Sequence, residues 1–337
     1  MELRLIHADE HLTELGEVLY YTQFDAQISM EPETDSNDWM LQLPAQVWQE
    51  RPIEAGHYIY IPDTEWGGVA ERVHHTASEG EVRVYGVCWR GLLARRVVCP
   101  PQGMTHFELS DIDGNEALRA MTGDWKSRLL SVSEEQSGLS LSCSVRYRSL
   151  LESVYELLGD AGRLDISFAD RMVRLSIGAV RDRSAEVEFS QEYEAGIISD
   201  HSRNVYNHII ALGRGEMLDR TVVELWLLPD GTVTDDPMAQ GAPSPDEYMT
   251  YLYDYSAVES DAELRSAAKR KLLEVSGSDE LEIELRDTET ELALTDRASV
   301  RDSVTGMTAA LSVAKKRLNI RDNAVNITHI LSAANKQ

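Results

Sequence analysis

The stretch TEWGGVAERVHHTASEGEVRVYGVCWRGLLARR, residues 64–96, decides how this chain is read. Its histidine pair, Trp–Gly–Gly and Cys–Trp are residue types that can carry chemistry, but their spacing is that of a β-hairpin. GGVAERV (67–73) and EVRVYGVCW (81–89) are β-branched and aromatic runs with partial period-two alternation, and the polar turn TASEG (76–80) lies between them. Neighbouring residues on a strand point to opposite faces, so His74 and His75 cannot ligate one ion from a regular strand. The expectation is a hairpin-end pair, one facing the core and one facing solvent. Gly67 and Gly68 are expected to permit close backbone approach or a bulge, and GLLARR (91–96) is the exit from the sheet.

Around this hairpin the first module, residues 1–105, reads as β-rich and barrel-like. YIYIP (58–62) is a further strand, SNDWMLQLPAQVW (36–48) is a strand or strand pair with Pro44 at an edge or bend, and CPPQG (99–103) ends the module. Residues 106–195 read as a small α+β domain. A short helix starts in GNEALRAMTGDW, and a second over 147–159 places Leu150, Leu151, Val154, Leu157 and Leu158 on one stripe. RLDISFADRMVRLSIGAV then alternates apolar residues on either side of an ADR turn, a second hairpin.

Residues 196–337 read as another barrel-like β domain, with strands at 205–213 and 221–228 and a polar loop at 229–247. An inserted helix spans 260–276, where Ser260 and Glu263 make a capping box, Leu264, Ala268 and Leu272 form a stripe and Gly277 closes the turn. Alternating strands follow. The fold class is therefore α+β, mainly β: two barrel-like β domains with small α+β insertions.

The bulk numbers exclude several functions. The chain has 337 residues, is 42% hydrophobic and carries a net charge of −26. Residues 1–54 hold twelve acids against Arg4 and Arg51, and the first lysine is Lys126. Such a surface repels phosphate backbones, which argues against a specific nucleic-acid binder while suiting a passage that DNA crosses without sticking. No apolar run approaches the roughly 20 residues of a membrane span. The N-terminus lacks the basic and apolar regions of a signal peptide. Cys88, Cys99 and Cys143 show no CxxC spacing and are expected as buried or half-buried thiols in a reducing compartment.

No constellation of catalytic, cofactor-binding or metal-ligating residues emerges, so none is assigned and no enzyme is expected. DIDGNE (111–116) begins like a calcium loop, but Glu116 stands where glycine is needed and Thr122 where the bidentate Glu belongs; an Asx turn into a helix fits instead. GRGEML (213–218) lacks the third glycine and the βαβ context of a dinucleotide loop. Glu65, Glu71 and Glu81 could supply a glycosidase pair, but any acid-rich chain offers such pairs and a solvated face explains them. Asn326 heads a glycosylation sequon inside an expected strand. The scattered tryptophans argue for packing, with Trp66 the one expected at the surface.

The order of these features resembles the hub proteins of bacteriophage tails, in particular the tail-associated or baseplate-hub proteins of siphophages and prophages. The residues that carry the resemblance are the stretch ending in GLLARR, then RYRSLLESVYELL, DRSAEVEFS, NVYNHIIALGRGE with Asn207, and the RASVRDSVTGMTAALSVAKKRL segment. The resemblance covers nearly the whole chain. It implies two barrel-like β domains per subunit, a homotrimer presenting a pseudo-six-fold ring to the distal tail protein, and tail-tip or fibre proteins on the other side. It also implies contact with the tape measure, and a lumen through which DNA passes without specific binding. Residence in the virion tail, after synthesis in the bacterial cytoplasm, follows from the same likeness. A cell-wall hydrolase and a glycan-binding module are the alternative functions.

Overall fold

The computed structural model describes residues 3–31, 36–76, 78, 80–126, 128–190, 196–201, 206–229, 231–256, 258, 260–276, 279–285, 292–304, 306, 308–322 and 324–332. They fall into two compact units, Met1–Ile197 with Ile283–Ser332, and Ile198–Glu282 with Ala333–Gln337. The fold is mainly β with several sheets, and among the described residues no sheet closes on itself.

In the first unit the 64–96 stretch forms the expected hairpin. Gly67–His75 pairs antiparallel with Glu81–Cys88, and a bulge lies between Ala70 and Arg72. A side-chain carbon on Gly68 would lie 1.8 Å from the Val87 carbonyl oxygen, and one on Gly86 would lie 2.3 Å from the Trp39 ring, so these glycines set the strand spacing. Trp89, read from the sequence as the last residue of the strand, instead opens helix α2 (Trp89–Ala94), and GLLARR is therefore mostly helical. Of the turn at 76–80, Ala77 and Glu79 lie outside the described residues.

The hairpin sits inside a sheet path that includes, in order, Ala324–Ser332, Thr308–Arg321, Gln23–Ser29, Asp38–Pro44, Glu81–Cys88, Gly67–His75, Tyr58–Tyr60, Ile6–Ala8 and Glu14–Glu17; beyond Ala324–Ser332, residues 283–285 pair with its end at 329–331. Pro44 ends its strand and precedes helix α1 (Ala45–Glu50), as a residue without an N–H must at a strand exit. Phe24, Leu41 and Val84, at register with one another, are all 0% exposed and mark the apolar side of this sheet.

The rest of the first unit packs helices against smaller sheets. Helix α3 (Gly114–Thr122) and helix α4 (Leu150–Leu158) share one core with the hairpin Gly162–Ala169 and Met172–Ala179. All five stripe residues of α4 are buried, and Ser149 caps it by accepting from the Glu152 N–H at 3.1 Å. Asp170 and Arg171 both take positive φ, which suits a two-residue turn between twisted strands. Trp89 stacks on Phe168, ring centroids 5.3 Å apart, and on Tyr58 at 6.2 Å.

A buried guanidinium ties these pieces together. Arg90 of α2 is 2% exposed; it holds both oxygens of Glu65, donates to the Tyr155 hydroxyl of α4 at 3.1 Å and to the Leu164 carbonyl at 2.7 Å. The Tyr155 hydroxyl in turn donates to the Ser29 carbonyl at 3.0 Å. Burial acts against the charge, but Glu65 and Tyr155 outweigh it and keep Arg90 protonated.

The second unit is a four-stranded sheet in the order Val233–Thr234, Val222–Leu227, His208–Leu212, Thr250–Asp254, backed by helix α5 (Asp261–Val275). Leu264, Ala268 and Leu272, the expected stripe, are all 0% exposed against Ile209, Ala211, Val223 and Leu225. The capping box is half formed: Ser260 accepts from the Glu263 N–H, whereas the Glu263 carboxylate takes the Tyr255 hydroxyl. Gly277 and the start of the expected 205–213 strand lie outside the described residues, as does the chain beyond Ser332.

Two outcomes follow. Val84→Asp leaves an unpaired carboxylate in the core and should abolish cooperative unfolding, whereas His74→Ala should shift the urea midpoint negligibly. Arg90→Met leaves Glu65 half-buried and unpaired and should cost about 3–5 kcal/mol in urea unfolding, with part of that loss recovered in the Arg90→Met/Glu65→Leu double variant.

Candidate functional surface

The side of the long sheet opposite Phe24, Leu41 and Val84 is polar from edge to edge. One row across it reads Asn326, Asn319, Asp25, Met40, Tyr85, Arg72; the next reads Ala324, Arg321, Gln23, Gln42, Arg83, His74. Period-two alternation puts these side chains on one face and the buried ones on the other. They bond to each other across the strands. Asn319 and Gln23 both donate to Asp25, Gln27 donates to Asp38 at 2.9 Å, Arg83 to Gln42 at 3.1 Å, Gln42 to Glu81, and Thr22 to Glu81 at 3.2 Å. The Arg72 guanidinium lies over the Tyr85 ring at 4.3 Å. Arg72, Arg83, Lys315, Arg317 and Arg321 share this face with Asp25, Asp38 and Glu81, so it mixes both signs of charge despite the acidity of the chain.

Among the described residues, each of the two outer strands of this region has a stretch with no second neighbour. Beyond Ala70, the strand Gly67–His75 pairs only with Glu81–Cys88, and before His329 the strand Ala324–Ser332 pairs only with Thr308–Arg321, among the described residues. All five steps from one to the other are antiparallel. Residues 71–75 are exposed on both faces, Val73 among them at 37%. This corrects the expectation that one of His74 and His75 faces the core: the strand end runs past the packed layer, so neither side is covered. His75 bonds the Glu81 carbonyl at 3.0 Å and His74 the Thr76 hydroxyl at 3.3 Å.

The sequence motifs disperse into structural work. Asp113 caps α3 by accepting from the Asn115 N–H at 2.9 Å, as an Asx turn does, and its other oxygen takes Ser137 at 2.8 Å. Glu65, Glu71 and Glu81 are separately engaged, by Arg90, by Arg95, and by Gln42 with Thr22. GRGEML is the turn between His208–Leu212 and Val222–Leu227. Trp66, expected at the surface, is 6% exposed, with the Lys316 ammonium 5.9 Å from its ring centroid. Cys88 and Cys143 are buried and half-buried as expected, but Cys99 is exposed.

One histidine pair escaped the sequence reading because its members lie fifty residues apart: the His7 and His57 rings bond at 2.9 Å. Burial first, then His57 and Arg51, pull the His7 pKa down to about 4, so it is neutral at pH 7. The polar face escaped for a different reason. Its alternation was visible, but only strand order shows that six strands share it.

No protein-family model matches the sequence, and no curated protein does. Among solved structures, the chain is similar to a tail protein from Neisseria meningitidis MC58, with a TM-score of 0.56 and 13% identity over 98% of this chain and 97% of that one. It is similar to a 43 kDa tail protein of prophage MuSo2 from Shewanella oneidensis, with a TM-score of 0.59 and 10% identity over 98% of each chain. It also matches prophage tail protein gp18 from Listeria monocytogenes EGD-e, with a TM-score of 0.55 and 11% identity over 99% of this chain and 95% of that one. The chain has the fold of phage and prophage tail proteins along its whole length.

Proposed function

We propose that this chain is a structural, non-enzymatic hub subunit of a phage or prophage tail tip or baseplate. Copies form a homotrimeric ring around the DNA channel, joined to the distal tail protein on one side and to tip or fibre proteins on the other. The tape measure lies within reach of the same ring, and the assembled site of action is the virion tail.

The observation that carries this reading is the open sheet with a self-bonded polar face. Six strands alternate in direction between two stretches, 71–75 and 324–328, that lack a second neighbour among the described residues, so the outermost two run antiparallel to each other. A rotation axis parallel to the strands would set residues 71–75 of one copy beside residues 324–328 of the next in antiparallel register. Head-to-tail pairing of this kind closes into a ring and removes both edges. In this reading the barrel-like closure expected from the sequence occurs between copies. Three copies supply about eighteen strands, a size at which closed barrels leave an aqueous channel. The polar face turned inward would present amides and charges of both signs, with Arg83 and Lys315 engaged by Gln42 and Glu31.

Sedimentation of the purified chain at rising concentration, alone and with the distal tail protein, tests this. The expected result is a species of three times the monomer mass that Val73→Pro abolishes while circular dichroism stays unchanged. A chain that remains monomeric with its partner present at high concentration would sink the proposal.

A further inference from the structure

The second unit carries an undefended sheet edge of its own. In Thr250–Asp254, sequence TYLYD, there is no proline, lysine or bulge, the usual protections of an edge strand. It pairs in parallel with His208–Leu212 on one side and, among the described residues, with nothing on the other. The ladder of backbone bonds fixes its orientation. The Met249 carbonyl accepts from the Asn207 and His208 N–H groups at 3.1 and 3.2 Å, and the Tyr255 N–H donates to the Leu212 carbonyl at 2.8 Å. Odd-numbered residues thus turn their backbone groups inward, and alternation turns those of Thr250, Leu252 and Asp254 to the open edge.

The sheet face beside that edge, opposite α5, is apolar at its centre and acidic at its rim. Leu252 is 64% and Val222 49% exposed, in register with Ile210 and Leu212 respectively. The Glu224 and Asp254 side chains, 48% and 59% exposed, flank them; Asp254 is already paired with the Arg220 guanidinium at 2.5 Å, which leaves Glu224 as the acid nearest the edge strand's apolar centre. Residues 198–282 hold seventeen acids against seven bases, and four of those bases, Arg265, Lys269, Arg270 and Lys271, sit on α5 behind the sheet. A second copy of this acidic chain is a poor electrostatic match for such a rim, whereas a basic segment is a good one.

We infer that Thr250–Asp254 receives an extended segment of another protein as a fifth strand, one with apolar residues facing the Leu252 side and basic residues at its ends. Backbone bonds to Thr250, Leu252 and Asp254 hold the segment, Leu252 and Val222 contact its apolar side chains, and Glu224, with the net acidity of residues 198–282, selects its charge. The inference does not depend on the ring, which involves the first unit.

The test uses the full chain and a labelled peptide, Lys-Thr-Val-Thr-Val-Thr-Lys, followed by fluorescence anisotropy. Controls are the same peptide with alternate backbone nitrogens methylated, and a permuted peptide of equal composition. The expected result is saturable binding that weakens about tenfold with either control, because the charge is kept while the ladder or the pattern is lost. Leu252→Pro, which deletes an edge N–H but no internal bond, should also weaken binding about tenfold, and Leu252→Ala, which keeps the N–H, markedly less. Equal binding of native and methylated peptides, no binding at all, or an unaffected Leu252→Pro variant would overturn the inference. So would a concentration-dependent dimer abolished by Leu252→Pro, since the edge would then belong to a second copy.

Discussion

The layers of the first unit are tied together by one buried guanidinium that bonds to three different pieces of chain. Arg90 joins the loop carrying Glu65, helix α4 through Tyr155, the hairpin through Leu164 and, one bond further, the strand ending at Ser29. A buried ion pair gains little net stability by comparison with apolar packing, because desolvation cancels most of its attraction. Its worth is directional. The planar guanidinium accepts only one arrangement of its partners, so the polar sheet and the helical layer are fixed in one relation to each other. That relation leaves the opposite face of the sheet uncovered.

The uncovered face explains why residues that look chemical are not assembled into chemistry. Carboxylates that would have to converge across a cleft are each occupied elsewhere, and the histidines of the opening hairpin stand on an open strand end. What the face has is a hydrogen-bonded carpet of Gln, Asn, Asp and Arg. Such a surface is well solvated, resists collapse and offers no apolar patch to a passing polymer. These properties suit a wall more than a pocket.

Much of the local structure was legible in the sequence. The hairpin, the stripes of α4 and α5, the Ser260 cap and the Asx turn leading into α3 all rest on interactions within a few residues, which periodicity and capping chemistry reveal. What was not legible depends on distant partners. Trp89 looks like a strand residue by propensity, but it begins a helix whose next residue is pinned by Glu65, Tyr155 and Leu164. Trp66 looked exposed beside two glycines, yet those glycines draw the strands close enough to bury it. Barrel closure was expected within the chain, whereas the edges at residues 71–75 and 324–328 are left without partners among the described residues. The polar face needed the strand order, which no short-range signal encodes.

The central claim is that these two edges meet between copies, with the polar face turned inward. An electron cryo-microscopy reconstruction of the chain in assembled tail tips measures this directly. The account predicts a three-fold ring in which residues 71–75 of each copy are hydrogen-bonded to residues 324–328 of the next, with Asp25, Gln42 and Asn319 lining the lumen. A ring in which those strands lie apart, or in which that face points outward, would contradict it.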